Sequence, residues 1–184
     1  MYKFHHTLKG HDDWVKGVAI TEKGKIYSTS SDKTMRIWDT QSGKQTKRND
    51  LNMDINKLIL TADEEWVIMS CGGSAYAKQI TALGGEVRAF GIWKPPPYAY
   101  LPHTHLVTAI ATFENYIVTG SADKTLKVWD FKTTNLLKTL AKHSNSISDV
   151  AIFKGMYIVS ASADKTLKIW NMKTWECEKT LSGH

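Results

Sequence analysis

The sequence predicts an all-β fold assembled from small four-stranded antiparallel sheets that repeat along the chain. One ten-residue stretch carries much of the case, because the chain writes it three times: SSDKTMRIWD (Ser30 to Asp39), SADKTLKVWD (Ser121 to Asp130) and SADKTLKIWN (Ser162 to Asn171). Each copy follows a run of β-formers, KIYSTS, YIVTGS or YIVSAS, and apolar and polar residues alternate after DKT with the two-residue period of a half-buried strand. The spacing is regular as well: His103 to His143 is 40 positions and His143 to His184 is 41. A fixed period of this size marks a repeat architecture.

Taken in order, residues 2–9 read as a strand that ends in Lys9-Gly10-His11. Trp14 to Ile20 follows, then a Glu22 to Gly24 turn, KIYSTS, a DKT turn and TMRIWD. The Asp of DKT suits a tight turn, since its carboxylate can accept from backbone N–H groups two residues on. Gln41-Ser42-Gly43 makes another turn before a polar strand from Lys44, which completes a four-stranded meander over residues 11–50. The last two units, near 103–142 and 143–183, repeat this plan compactly. Residues 51–102 depart from it. Leu51 stands where other units have His and Ser74 where they have the turn Asp. Ser74 to Trp93 takes nineteen positions where the others take six, so about thirteen residues (AYAKQITALGGEV) are inserted before a third strand expected at Arg88 to Trp93. No segment carries a helical period.

Composition narrows the function classes. With 184 residues and 42% apolar composition, the chain can bury a core as one domain. No apolar run approaches the roughly 18 residues of a membrane span, and MYKFHHTLKGH holds no secretory signal. Cys71 and Cys177 are too few for a disulfide framework, which points to a reducing, intracellular setting, cytoplasmic or nuclear. The net charge of +6 is spread through every segment, without the basic stripe interleaved with aromatics that nucleic-acid binding favours. His5-His6 and His103-Thr104-His105 are local histidine pairs with no Cys or carboxylate cluster to complete a coordination set, so neither a metal nor a cofactor is expected.

A Ser or Thr precedes the turn Asp by four residues in each unit, and a His precedes it by 20 or 21: His11, Ser28, Asp32; His103, Thr119, Asp123; His143, Ser160, Asp164. Such a constellation invites a hydrolase reading. Three copies would mean three active sites, however, and no G-x-S-x-G elbow surrounds either serine.

The 40-residue period, the Gly-His marks and the Trp-Asp marks together resemble the WD-repeat family, across nearly the whole chain. That resemblance implies a β-propeller segment of four blades near 11–50, 51–102, 103–142 and 143–183, the second degenerate, with residues 1–10 as a leftover outer strand. Five outer strands (2–9, 44–50, 98–102, 135–140, 175–181) against four inner triplets imply an open arc, read as a fragment of a seven-bladed ring; two such chains making eight blades is the alternative. The resemblance also turns the Ser-His-Asp sets into structural quartets completed by Trp38, Trp129 and Trp170. An indole N–H can only donate, so a buried one calls for an acceptor such as the Ser or Thr hydroxyl.

The implied function is a non-enzymatic platform binding proteins or peptides on one face. Substrate recognition for a ubiquitin ligase, or targeting for a larger enzyme such as a kinase, are the competing readings. That face would gather Asp12, Asp13, Trp14 and Ser31; Thr104, His105, Leu106 and Ala122; Ser144, Asn145, Ser146 and Ala163. Trp14 either anchors a partner or packs locally at its strand's start. Tyr76, Lys78 and Arg88 of the insertion could join them. Pro95, Pro96, Pro97 and Tyr98 read as a rigid connector or as a PPPY ligand for WW domains.

Overall fold

In a computed structural model of the chain, residues 6–51, 55–60, 66–71, 86–91, 103–133 and 135–183 are described. They form fifteen β-strands and, among the described residues, no helix. The first sheet runs β1 (Val15–Ile20), β2 (Lys25–Ser30), β3 (Thr34–Asp39) and β4 (Gln45–Asp50) in sequence order. The second holds β5 (Ile55–Leu60), β6 (Trp66–Cys71) and β7 (Glu86–Gly91). The third contains β8 (Val107–Phe113), β9 (Tyr116–Ser121), β10 (Leu126–Asp130) and β11 (Leu136–Leu140); the fourth contains β12 (Ile147–Phe153), β13 (Tyr157–Ser162), β14 (Thr166–Asn171) and β15 (Cys177–Ser182). All pairings are antiparallel between chain neighbours, as short turns require.

The DKT turns are tight because the middle Lys takes the left-handed region, with φ of 61° at Lys33, 73° at Lys124 and 68° at Lys165. The turn Asp makes this tolerable by accepting from the Thr two residues on, at 2.9 Å from the Thr34 and Thr125 amides and 3.0 Å from that of Thr166. Each first strand pairs with its second through a β-bulge at one shared position, occupied by Lys16, Asn56, Thr108 and Ser148.

The strands β1, β5, β8 and β12 lie beside one another in that order, and the sheets fan out from them. Apolar clusters fill the three gaps. Tyr27 and Met35 meet Ile55, Leu58 and Met69; Ile68 meets Val107, Ile110 and Trp129; Val118, Leu126 and Val128 meet Ile147 and Val150. Close approach at the inner strands needs small residues. A Cβ on Gly17 would lie 2.9 Å from the Leu58 Cβ, and one on Gly120 would lie 2.5 Å from the Ile147 Cγ2. Among the described residues the first and fourth sheets do not pack on each other, so the sheets form an open arc.

Two sequence expectations are placed differently. Residues 6–10 of the leftover outer strand are not in a strand; His6 instead bonds the Gln41 carbonyl at 3.1 Å and sits over Gly43, while residues 1–5 lie outside the described residues. The third strand of the second sheet is Glu86–Gly91, two residues earlier than Arg88 to Trp93. Its register puts Phe90 opposite Val67, the place that Trp38, Trp129 and Trp170 hold opposite Ile26, Ile117 and Ile158. Ser74, Trp93 and the 98–102 outer strand lie outside the described residues.

Candidate functional site: polar quartets beneath a loop face

Three sheets build the same buried chain of hydrogen bonds. In the first, the Trp38 indole donates to the Ser28 Oγ at 2.8 Å, that hydroxyl lies 2.7 Å from the His11 Nε2, and the His11 Nδ1 lies 2.8 Å from the Asp32 carboxylate. In the third sheet the corresponding distances are 2.9, 2.7 and 2.8 Å through Trp129, Thr119, His103 and Asp123. In the fourth they are 2.9, 2.8 and 2.6 Å through Trp170, Ser160, His143 and Asp164. The donors fix the protons. The carboxylate accepts, so Nδ1 carries the imidazole proton and Nε2 must accept; the hydroxyl therefore accepts from the indole and donates to the histidine.

Each carboxylate is saturated. Its second oxygen accepts from the Thr hydroxyl of DKT, at 2.7 Å from Thr34 and 2.6 Å from Thr125 and Thr166. The histidine-facing oxygen also takes the amide of the residue after the histidine: Asp12 at 3.0 Å, Thr104 and Ser144 at 3.1 Å. The quartet thereby pins the inner-strand entry loop to the DKT turn. A second set of hydroxyls, which the sequence reading passed over, does the same: Ser30, Ser121 and Ser162 donate to the carbonyls of Asp13, His105 and Asn145 at 2.9–3.1 Å. Their signal was the serine that opens each ten-residue repeat.

Burial alone would raise the Asp32 carboxyl, but hydrogen bonds from Thr34, His11 and the Asp12 and Thr34 amides outweigh it and hold it well below the usual range. The same balance lowers Asp123, chiefly through His103 and Thr125 against its burial, and Asp164, through Thr166, His143 and the Ser144 amide. A carboxyl depressed in the folded state adds stability above its unfolded pKa of about 3.9, and that stability drains away as pH falls below it. Urea titrations should therefore show constant quartet stabilisation above about pH 5 and a steady loss below about pH 4. Replacing Asp32, Asp123 and Asp164 together by Asn should flatten that slope.

The connectivity mimics a catalytic triad, but its chemistry does not follow. Thr119 and Ser160 are enclosed completely, and each hydroxyl already accepts an indole proton. A nucleophile needs a hydroxyl open to substrate, with oxyanion donors beside it. Among the described residues no group of His, Cys, Asp and Glu could hold a metal ion.

The second sheet carries apolar residues at the His, hydroxyl and Trp positions of the quartet, while the Asp position, Ser74, lies outside the described residues. Leu51, four residues ahead of Ile55 as His103 is ahead of Val107, packs on the cluster of Tyr27 and Met69. Met69 pairs opposite Leu58 and Arg88, where Ser28, Thr119 and Ser160 sit in the other sheets, and Phe90 holds the Trp register. Replacing the His, hydroxyl and Trp positions together avoids the stranded donors that losing one of them alone would leave.

Above the quartets, the entry loops and DKT turns share one edge. Trp14, Leu106 and Ser146 are equivalent there, their carbonyls accepting from the Ser31, Ala122 and Ala163 amides at 2.9 Å. Trp14 is 80% exposed and does not pack locally; Leu106 is 47% exposed. Asp12, Asp13, Thr104, His105, Ser144, Asn145 and Ala163 are exposed around them, and Ser31 and Ala122 half-buried. Arg88 does not belong to this set: it lies within β7 opposite Met69, the position of Arg36, Lys127 and Lys168. Tyr76, Lys78, Pro95, Pro96, Pro97 and Tyr98 lie outside the described residues.

The profile of the WD domain, G-beta repeat, matches residues 2–39, 96–130 and 134–171, covering the three quartet-bearing units and passing over most of the second. The chain belongs to the WD-repeat family. Its relatives include a nuclear distribution protein PAC1 of Coccidioides posadasii, 30% identical over 84% of this chain and 37% of the relative. A zinc finger CCCH domain-containing protein 62 of Arabidopsis thaliana is 28% identical over 73% of this chain and 40% of its own length. A ribosome biogenesis protein WDR12 homolog of Oryza sativa subsp. japonica is 28% identical over 81% and 34%. This WD-repeat chain thus spans between a third and two-fifths of the relatives' lengths. Its sheets are propeller blades, and no helix among the described residues is long and apolar enough to cross a membrane.

Proposed function

We propose that this WD-repeat chain is a non-enzymatic, intracellular interaction platform that docks a protein or peptide segment across the edge carrying Trp14 and Leu106. The observation behind this reading is the 80% exposure of Trp14 on a loop that two separate hydrogen-bond networks hold in place. A large aromatic held out from a rigid scaffold loses little entropy on binding and offers a wide apolar contact, the character of an interface anchor. Asp12, Asp13, Thr104, His105, Ser144 and Asn145 supply a polar rim, with Ser31, Ala122 and Ala163 lying behind it. Names such as nuclear distribution protein and ribosome biogenesis protein among the relatives accord with work inside the cell.

The test is selection from a displayed peptide library, followed by titration of the selected peptides against variants. Trp14→Ala is expected to weaken binding at least ~30-fold, equivalent to about 2 kcal/mol, while leaving the thermal transition within about 1 °C. Equal binding by the variant would place the docking face elsewhere.

A further inference from the structure

Each seam between neighbouring blades is met by one register position of the earlier blade. In the third blade it is Gly120, paired opposite Ala109 just after the bulge, and a Cβ there would lie 2.5 Å from the Ile147 Cγ2 of the fourth. The register puts Thr29, opposite Gly17, and Ser70, opposite Lys57, in the same place in the first and second blades. Ile55 and Val107 are the counterparts of Ile147, both buried. Thr29 and Ser70 are fully enclosed, and among the described residues neither hydroxyl has a hydrogen-bond partner. The Thr29 Oγ1 lies 2.7 Å from the place of a Gly17 Cβ, which is itself 2.9 Å from the Leu58 Cβ of the second blade.

A hydroxyl enclosed without a partner has lost its water with no replacement, which destabilises the packed state relative to an opened one. Both such hydroxyls lie on the seams that flank the second blade, whereas the seam between the third and fourth has glycine at that place. The polar ties differ in the same sense. Thr108 donates to the Ile147 carbonyl at 2.5 Å across the later seam, while Asn56 reaches the Val107 carbonyl at 3.3 Å across the one before it. The ion pair of Lys57 with Asp149 is exposed enough at both ends for water and salt to screen it. Leu51, Met69 and Phe90 hold the His, hydroxyl and Trp positions of the second blade, so no chain of imidazole, hydroxyl and indole ties its strands together as in the other three.

We infer that the second blade is the opening unit of the arc: β5 and β6 separate from their neighbours in sub-global excursions while the third and fourth blades stay packed together. Stability is divided along a structure in this way where one unit is held less well than those beside it. Water admitted during an excursion satisfies Thr29 and Ser70, and closure strands them again. The Trp14 loop leads into β1 and the Leu106 loop into β8, on either side of that blade. Each excursion therefore alters the spacing of the two residues at the proposed docking edge. The opening belongs to the free chain and holds whether or not that edge receives a partner.

Amide hydrogen exchange of the free chain tests this, under conditions where protection reports the opening equilibrium. Mid-strand amides of β5 and β6 should be protected at least ~10-fold less than those of β9 and β13. Thr29→Val combined with Ser70→Ala deletes both hydroxyls at nearly unchanged volume, and should slow exchange in β5 and β6 at least ~10-fold. Trp170→Phe weakens the fourth blade, so it should hasten exchange in β13 while leaving β5 and β6 within about twofold of the parent. Three results would overturn the proposal: protection in β5 and β6 equal to that in β9 and β13, no slowing in the double variant, or β5 and β6 hastened by Trp170→Phe as much as β13.

Discussion

Replacing Asp123 by alanine should lower the unfolding free energy by about 3–5 kcal/mol, far more than one surface carboxylate contributes. The carboxylate accepts from His103, from the Thr125 amide and hydroxyl, and from the Thr104 amide, all within 3.1 Å. Its removal strands the enclosed His103 side chain and leaves the Thr125 donors without their acceptor, at about 1–3 kcal/mol for each left unpaired. The histidine, freed from its acceptor, also loses the tautomer that lets Nε2 take the Thr119 proton. A double variant with His103→Leu should lose less than the sum of the single losses, by at least ~1 kcal/mol, since members of one network couple. Urea unfolding of the four chains of the cycle measures this; strict additivity would mean that the groups act independently.

Trp170→Ala should cost a comparable amount, about 3–5 kcal/mol, for a different reason. The ring is 1% exposed and packs in the cluster that the third and fourth blades share, and its N–H is the donor at the start of its quartet. Truncation opens a cavity and removes the donor to Ser160 together. Trp170→Phe restores most of the apolar volume without the N–H, so it should recover more than half of the loss. Trp14→Ala, at an exposed position, should change stability by less than about 0.5 kcal/mol. Equal effects at Trp14 and Trp170 would contradict the burial that separates them.

Much of this was legible in the residues because local chemistry repeats. The DKT turn and the alternation after it give hairpins wherever they occur, and recurring offsets between Ser or Thr, His, Asp and Trp bring those four groups together once the hairpins form. What the sequence hid depends on pairing across distance. The second blade's third strand follows an insertion, and spacing through an insertion cannot set register; the tryptophan at 93 drew the alignment, whereas pairing from Cys71 with Glu86 puts Phe90 in that place and Arg88 mid-strand. The exposure of Trp14 was equally hidden, since a strand-opening aromatic looks alike whether or not a neighbour covers it. Residues 2–9 have a strand-like composition, yet residues 6–10 are not in a strand, and His6 bonds the Gln41 carbonyl in the first blade's final turn.

These features describe a surface held in shape by what lies beneath it. Quartets lock the entry loops to the DKT turns, and those loops present the residues a partner would meet. Hydrogen exchange at the indole nitrogens, resolved by nitrogen-edited NMR, tests that arrangement most directly. The N–H protons of Trp38, Trp129 and Trp170 should exchange only through large-scale unfolding, orders of magnitude more slowly than that of Trp14. Exchange of those three at the rate of Trp14 would contradict the buried quartets and the rigid face built on them.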